Sequence, residues 1–205
     1  MLIGIDLDNT IIDYRFSLKE MMEEEFPEYG TKEISKEKVK KYIRDNYGEE
    51  AWTEAQGRLY TYYLKAAKVY DGFNEVLVKL KEFDCDVKIV SHKTNKPIIG
   101  GDSNLREFAL NWLEAKSVIG DSLNQIAKND VFFANSLEEK AALINQNDFE
   151  VFVDDLPELL MKLSVDIRKY LIFAPLTYRS NFNIIPLINW HDDKILKHIL
   201  DRIHP

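Results

Sequence analysis

The apolar run 2–5 at the start of the chain constrains the fold most, because it ends directly in two carboxylates, Asp6 and Asp8. The run predicts a short strand with no polar face. Strands buried on both faces are typical of parallel sheets that helices cover on both sides. Since side chains alternate along a strand, both carboxylates leave its end on the same side, about 7 Å apart.

Two carboxylates this close repel each other, which raises the pKa of one of them unless a cation lies nearby. The pair therefore predicts a site for a divalent cation. Asn9 and Thr10 follow directly. The alternative interpretation is a strand that runs into a polar turn, since short acidic turns are common. The motif alone leaves both interpretations open.

The rest of the chain alternates apolar runs with helical patterns, which predicts an α/β fold with a Rossmann-like parallel sheet of about five strands flanked by helices. The predicted strands are 2–6, 87–91, 131–134, 151–153 and 170–173. Some sixty residues separate the first strand from Tyr70, too many for an ordinary crossover loop. We therefore expect a catalytic core of 1–13 and 70–205 and an inserted helical cap of 14–69.

The cap is predicted to hold three helices. A capping box at Ser17 to Glu20 is expected to open the first, and Ser35 the second, which ends near Gly48. The third is expected over about 50–68. A closing helix is predicted from Trp190 to Ile203.

Polar residues follow the later predicted strands in a definite order. Ser91 ends the second strand, Lys140 follows the third, and Asp154 and Asp155 follow the fourth. Because the carboxyl ends of parallel strands share one edge with the N-termini of the following helices, we expect these residues to meet Asp6 there.

Each of these later residues also has a simpler interpretation. Asp154 or Asp155 can cap the helix that Pro157 begins, although a cap explains only one of them. Lys140 can be a solvated surface lysine, in which case Lys93 and Lys128 compete for its place.

This order of motifs resembles the haloacid dehalogenase-like (HAD) superfamily of phosphotransferases, over 2 to about 175. That family has an Asp-x-Asp-x-Thr after strand one, a Ser or Thr after a second strand, a Lys at a helix start and an acidic pair after a further strand. The resemblance implies that Asp6 is a nucleophile that becomes an aspartyl-phosphate. It implies that Asp8 transfers protons, which requires a pKa above that of an exposed aspartate.

The remaining site residues follow from the same resemblance. Ser91 and Lys140 are expected to hold the phosphoryl group. The predicted Mg²⁺ ligands are Asp6, Asp154 and Asp155, with Asp8 contributing its backbone carbonyl. The residues expected to contact the substrate are Asn9, Thr10, His92, Lys93 and Arg106.

The segment around Ser91 resembles, more loosely, a HAD subgroup found with surface-polysaccharide biosynthesis. His92, Lys93 and Arg106 are candidates to grip a sugar phosphate or a nucleotide phosphate. A solvated basic loop explains the same residues.

Composition limits the partners and the location. The net charge is −8 and no long basic run is present, which argues against a nucleic-acid polymer as partner. The single cysteine, Cys85, excludes an intramolecular disulfide and a thiolate metal cluster. Charges interrupt the N-terminal apolar run within eight residues, so we expect neither a signal peptide nor a membrane span, and a cytoplasmic protein. The oligomeric state is not predicted.

The expected function is Mg²⁺-dependent hydrolysis of a small phosphomonoester, a sugar phosphate or a nucleotide. A phosphomutase with the same residues is an alternative. So is a phospho-receiver signalling domain, although a receiver carries its acidic pair after strand one and needs no cap. A non-catalytic HAD-like binding protein is the third alternative, and it is expected to lack one of the motifs.

Overall fold

The computed structural model describes residues 1–30, 33–99, 102–179 and 183–203. Its centre is a parallel six-stranded sheet flanked by helices, which confirms the predicted α/β Rossmann-like class. The strands lie in the order β5-β4-β1-β6-β7-β8. Their bounds are β1 Leu2–Ile5, β4 Asp86–His92, β5 Val131–Ala134, β6 Val151–Asp154, β7 Arg168–Leu171 and β8 Ile184–Pro186.

The chain changes direction across the sheet at β1. From β1 it passes to β4 and β5 on one side, and then returns to β6, β7 and β8 on the other. Ile5 pairs with Ile89 of β4 and with Val153 of β6, so β1 lies between the two strands that carry the later motifs. In open α/β sheets, ligands bind in the crevice outside the carboxyl ends of the strands at such a switch point.

The sixth strand, β8, was not predicted. It has three residues and ends in Pro186, which lacks a backbone N–H to donate to a ladder. The strand lies at the edge of the sheet, where a proline is tolerated. A run this short carries too little alternation to be recognised from sequence.

Eight helices are described, and the first three lie between two short strands. These strands are β2 (Ile12–Asp13) and β3 (Lys68–Val69), which pair antiparallel. The helices are α1 Arg15–Glu25, α2 Lys36–Tyr47, α3 Glu49–Leu59, α4 Phe73–Glu82, α5 Leu105–Ala115, α6 Leu137–Gln146, α7 Pro157–Lys162 and α8 Lys194–Ile203. We call the segment α1–α3, with the 3₁₀ turn Tyr62–Ala66 that follows it, the helical segment; its predicted limits as a cap domain, 14–69, stay a prediction.

The helix starts show where capping signals succeed and fail. The Ser35 side chain accepts a hydrogen bond from the Lys38 N–H and caps α2, as predicted. The predicted box at Ser17 is wrong, because α1 begins earlier and Ser17 is buried within it, donating to the carbonyl of Tyr63 at 2.7 Å. The third helix ends at Leu59 rather than near residue 68.

The closing helix α8 begins at Lys194, four residues later than predicted. Trp190, the residue expected to open it, is buried, and its indole N–H donates to the carbonyl of Thr10 at 2.8 Å. This contact ties the tail of the chain to the loop that follows β1. Among the described residues, no helix is both long and apolar enough to cross a membrane.

Candidate active site

The strand ends bring three carboxylates together at the carboxyl edge of the sheet. Asp6 follows β1, Asp154 ends β6, and Asp155 is the next residue. Each of the three offers an oxygen within 4.8 Å of the others. Asp6 is 5% exposed and Asp154 is 1% exposed. We call Asp6, Asp154 and Asp155 the carboxylate cluster.

Burial and mutual repulsion govern the ionisation of this cluster. Burial raises the pKa of Asp154 and of Asp155 above the ordinary value, and the neighbouring carboxylates raise both further. Lys140 opposes these effects. One Asp154 oxygen also accepts a hydrogen bond from the backbone N–H of Leu156 at 2.8 Å, at the start of α7.

Lys140 is the cation inside the cluster. Its Nζ donates to Asp6 Oδ1 at 2.5 Å and to Asp154 Oδ2 at 2.7 Å, and the residue is only 2% exposed. Burial opposes its charge, but the two carboxylates hold its pKa well above the ordinary value. The Ser136 side chain caps α6 by accepting from the Glu139 N–H, which sets Lys140 in the first turn.

The two competing lysines pair with other carboxylates. Lys128 pairs with Glu114 at the surface. Lys93 is 4% exposed and pairs with Asp8, at 2.8 Å from Nζ to Oδ2. It also lies over the ring of Tyr60, 4.0 Å from the centroid. The site therefore contains two buried lysines, each paired with a different part of the acidic motif.

Asp8 differs from its predicted state. Burial alone would raise its pKa, but the Lys93 ammonium and the hydrogen bonds from Lys93 and the Tyr14 hydroxyl bring the pKa below the ordinary value. The expectation of a raised pKa is therefore wrong for the protein without substrate. The Asp8 carboxylate also lies outside the carboxylate cluster.

Two buried hydroxyls at the site lack a hydrogen-bond partner within the described part of the chain. They belong to Ser91, near the end of β4, and to Thr10, and both residues are fully buried. Burying an unpaired hydroxyl costs about 1–3 kcal/mol. Such groups are expected to acquire a partner when a polar ligand binds.

The other predicted substrate contacts are placed differently. Asn9 lines a pocket at the site and has a left-handed backbone, with φ of 62°. The Arg106 side chain donates to the Lys93 carbonyl at 2.9 Å and to Asn135 Oδ1 at 2.6 Å. His92 is exposed, with Nε2 3.2 Å from the Asn135 carbonyl. Arg106 thus braces the Lys93 loop, and substrate contact by His92 and Arg106 stays a prediction.

A pocket of about 510 Å³ opens between the core and the helical segment. Its core side includes Asp155 and Tyr70, and its other side includes Arg15, Lys36 and Lys40. We call it the interface pocket. The Tyr60 side chain and the carboxylates of Asp8 and Asp155 raise the pKa of Lys36 against the effect of burial.

The sequence interpretation missed Lys36 and Tyr14. Lys36 follows the cap residue Ser35 and is the first residue of α2. A cation is unfavourable at the positive end of a helix unless anions lie nearby, so this position was a usable signal. Tyr14, just before α1, offered no comparable signal.

The carboxylate cluster fits a magnesium ion. Mg²⁺ prefers oxygen ligands and is usually bound through one or two carboxylates and the phosphate of a substrate. Lys140 pairs with two of the three carboxylates, Asp6 and Asp154, and the third, Asp155, lies beside them, which leaves negative charge for a further cation to offset. Asp6, Asp154 and Asp155 are the residues that would hold the ion.

Several solved structures share this fold along almost the whole chain. A haloacid dehalogenase-like family hydrolase from Streptococcus pneumoniae matches with a TM-score of 0.59 at 12% identity, over 98% of this chain and 97% of that chain. A putative phosphatase from Clostridium difficile matches with a TM-score of 0.59 at 16% identity, over 97% of each chain. A putative HAD-hydrolase from Bacillus subtilis, bound to magnesium, matches with a TM-score of 0.58 at 11% identity, over 98% of each chain.

No protein-family model matches the sequence, and no curated protein matches it. At these identities the structural matches establish the fold. The chain has the fold of HAD-superfamily hydrolases.

Proposed function

We propose that this protein is a HAD-type phosphatase that hydrolyses a small phosphomonoester with Mg²⁺ and an aspartyl-phosphate on Asp6. The observation that carries the proposal is the carboxylate cluster with Lys140 inside it. On the loop after β1 and near the end of β4, Thr10 and Ser91 add buried hydroxyls that lack a partner within the described residues. This set offers a nucleophile, metal ligands and hydrogen-bond donors for a phosphoryl group. The shared fold with HAD-superfamily hydrolases supports it.

Mg²⁺ held by the carboxylate cluster would offset the charge of the phosphoryl oxygens. The chain's own residues supply the remaining functions. Lys140 holds the Asp6 carboxylate in place through a 2.5 Å hydrogen bond. Ser91 and Thr10 each have a buried hydroxyl, unpaired within the described part of the chain, to donate to a phosphoryl oxygen.

In the first step, a carboxylate oxygen of Asp6 attacks phosphorus and forms a P–O bond. The bond from phosphorus to the ester oxygen breaks, and the leaving alcohol takes a proton from Asp8. In the second step, Asp8 takes a proton from water, which attacks the same phosphorus. The bond to Asp6 breaks, inorganic phosphate leaves, and both aspartates return to their starting state.

The contacts of Asp8 suit the second step directly. Lys93 and Tyr14 favour its carboxylate form, which is the form that accepts a proton. The first step needs the protonated form. A phosphoryl dianion bound beside Asp8 repels its charge and raises its pKa, so substrate binding itself would load the proton.

The proposed partner is a small phosphorylated metabolite rather than a nucleic-acid polymer. The interface pocket, at about 510 Å³, lies within the usual range for small-molecule sites. The net charge of −8 makes binding of a polyanion such as a nucleic acid unfavourable.

The test is release of inorganic phosphate from p-nitrophenyl phosphate, sugar phosphates and nucleotides, with Mg²⁺ and with EDTA. We expect metal-dependent release that Asp6→Asn lowers by at least about a thousandfold. Asp45→Asn is the matched control, since Asp45 pairs with Lys41 on the exposed side of α2. Undiminished activity of Asp6→Asn would end the assignment, and conversion of a sugar phosphate to its isomer without phosphate release would favour a phosphomutase.

A further inference from the structure

We infer that the substrate carries a second anionic group, which Lys40 binds in the interface pocket. This inference rests on the proposed function and names the substrate class of the same site. Three features of the pocket support it: the placement of two lysines on one helix, the charge balance of the lining residues, and the aromatic wall opposite the lysines.

The first feature is the arrangement of Lys36 and Lys40 on one helix. They are four residues apart on α2, so they lie on the same face, one turn from each other, and both line the pocket. Lys36 interacts with Asp8 and Asp155, which places it toward the reacting end of the pocket. Lys40 lies one turn, about 6 Å, farther along the helix than Lys36.

The second feature is the charge balance of the residues that line the pocket. Arg15 already has a partner, since its guanidinium donates to both oxygens of Asp13 at 2.6–3.0 Å. Lys40 makes no hydrogen bond or ion pair within the described residues. Glu37, the acidic residue of the same rim, is exposed. Lys40 is therefore the cation that a ligand anion can engage at the least cost.

The third feature is the aromatic wall of the pocket that faces the helical segment. The rings of Tyr70 and Phe173 pack with centroids 4.2 Å apart, and both line the pocket. Phe173 has a φ of 56°, a left-handed conformation that is rare and strained for a bulky residue. Strain of this kind clusters at ligand sites. The carbon skeleton of the substrate would pack against this pair.

These features together describe a short ligand. One end carries the phosphate that reacts at Asp6, the carbon body lies against the aromatic pair, and the other end carries a carboxylate or a second phosphate at Lys40. The two anions share the chemistry that Lys40 recognises, so the experiment must distinguish them.

The test compares matched pairs of phosphomonoesters. Glycerol 3-phosphate and 3-phosphoglycerate differ by a carboxylate, and fructose 6-phosphate and fructose 1,6-bisphosphate differ by a second phosphate. We expect kcat/KM to be at least about tenfold higher for the more anionic member of one pair, and Lys40→Ala to remove that preference. Lys41→Ala is the matched control, because Lys41 is exposed on the same helix and pairs with Asp45.

Each outcome either supports or overturns binding of a second anionic group by Lys40. A preference within the first pair identifies a carboxylate, and one within the second identifies a phosphate. Equal kcat/KM within both pairs, or a Lys40→Ala variant that keeps the preference, overturns the inference while the phosphatase assignment stands. If no compound is hydrolysed, the proposed function fails, and calorimetric titration of the same compounds into the Mg²⁺-loaded protein decides: equal affinity within the pairs, or no binding, overturns the inference.

Discussion

Replacing Lys140 with methionine should destabilise the metal-free protein strongly, and Mg²⁺ should restore much of the loss. Methionine keeps the length and the packing volume of the side chain but removes the ammonium. In the native protein that ammonium contacts Asp6 and Asp154, which are 5% and 1% exposed. The variant leaves both carboxylates, with Asp155 beside them, buried without their cation.

The magnitude follows from this burial. Removing one partner of a buried ion pair costs about 3–5 kcal/mol, because an uncompensated charge stays in a poorly solvated place. For a chain of this size, 1 kcal/mol shifts Tm by about 2–4 °C, so we expect a decrease of roughly 6–20 °C. Exposed pairs contribute about 0–1 kcal/mol, so Lys128→Met, which removes a surface partner of Glu114, is the matched control.

The sign of the pH dependence is also determined. Burial and like charges raise the pKa of Asp154 and Asp155 in the folded state, so the folded protein binds more protons than the unfolded chain. The stability that these groups contribute is present in acid and is lost as the pH rises through their folded pKa values. Without Lys140 those values rise further, so the loss caused by Lys140→Met should be greater at pH 8 than at pH 5.

The assay is urea unfolding of both variants and wild type, in EDTA and in excess Mg²⁺, at the two pH values. We expect the loss in EDTA to shrink when Mg²⁺ is present, because a bound ion stabilises the folded state by mass action. A loss below about 1 kcal/mol in EDTA at pH 8, or one equal to that of Lys128→Met, would refute the reasoning from buried charge.

Three further predictions concern the site and the sheet. Apparent Mg²⁺ affinity should rise from pH 6 to pH 8, with proton release, because the ion binds the deprotonated forms of Asp154 and Asp155; calorimetry in two buffers of different ionisation enthalpy measures this. Tyr14→Phe should move the basic limb of the kcat/KM profile upward by about 1 pH unit, because it removes a hydrogen bond that lowers the pKa of Asp8, whose protonated form the first step needs. Gly4→Ala should cost about 1–3 kcal/mol in urea unfolding, because its Cβ would lie 2.4 Å from the buried ring of Phe152.

Each of these predictions has a contrary result. Mg²⁺ binding that is independent of pH, with no proton uptake or release, would contradict the raised pKa values. A basic limb that Tyr14→Phe leaves in place would show that Tyr14 does not control the pKa of Asp8; Tyr63→Phe, which removes a hydroxyl bonded to Glu24, is its control. A Gly4→Ala protein as stable as wild type would show that the Phe152 ring moves aside freely.

Local signals explain what the sequence predicted correctly. Five apolar runs bounded by polar residues gave five of the six strands of the parallel sheet, and such a sheet brings the residues that follow its strands to one edge. For that reason Asp6, Asp154 and Lys140 could be expected to meet, although 134 residues separate Asp6 from Lys140. The strand ends carried this information, and no long-range contact had to be guessed.

Long-range and rotamer-dependent contacts explain what was missed. The pairing of Lys93 with Asp8 depends on how the loop after β4 folds back, which Arg106 and Asn135 control by hydrogen bonds. The lowered pKa of Asp8 follows from that pairing. No local sequence signal could therefore have corrected the prediction that its pKa is raised. Likewise, Ser17 has the sequence of a cap but is buried in α1, where tertiary contact with Tyr63 overrides the local preference.

The most direct test of the central claim is intact-protein mass spectrometry of Asp8→Asn mixed with Mg²⁺ and p-nitrophenyl phosphate, whose leaving group departs as an anion and needs no proton from Asp8. Without the Asp8 carboxylate, water activation is impaired, so the phosphorylated enzyme should accumulate. We predict a mass increase of one phosphoryl group, mapped to Asp6 by peptide analysis and absent from the double variant Asp6→Asn, Asp8→Asn. A phosphoryl group on another residue, or turnover by the double variant at the rate of Asp8→Asn, would contradict nucleophilic attack by Asp6.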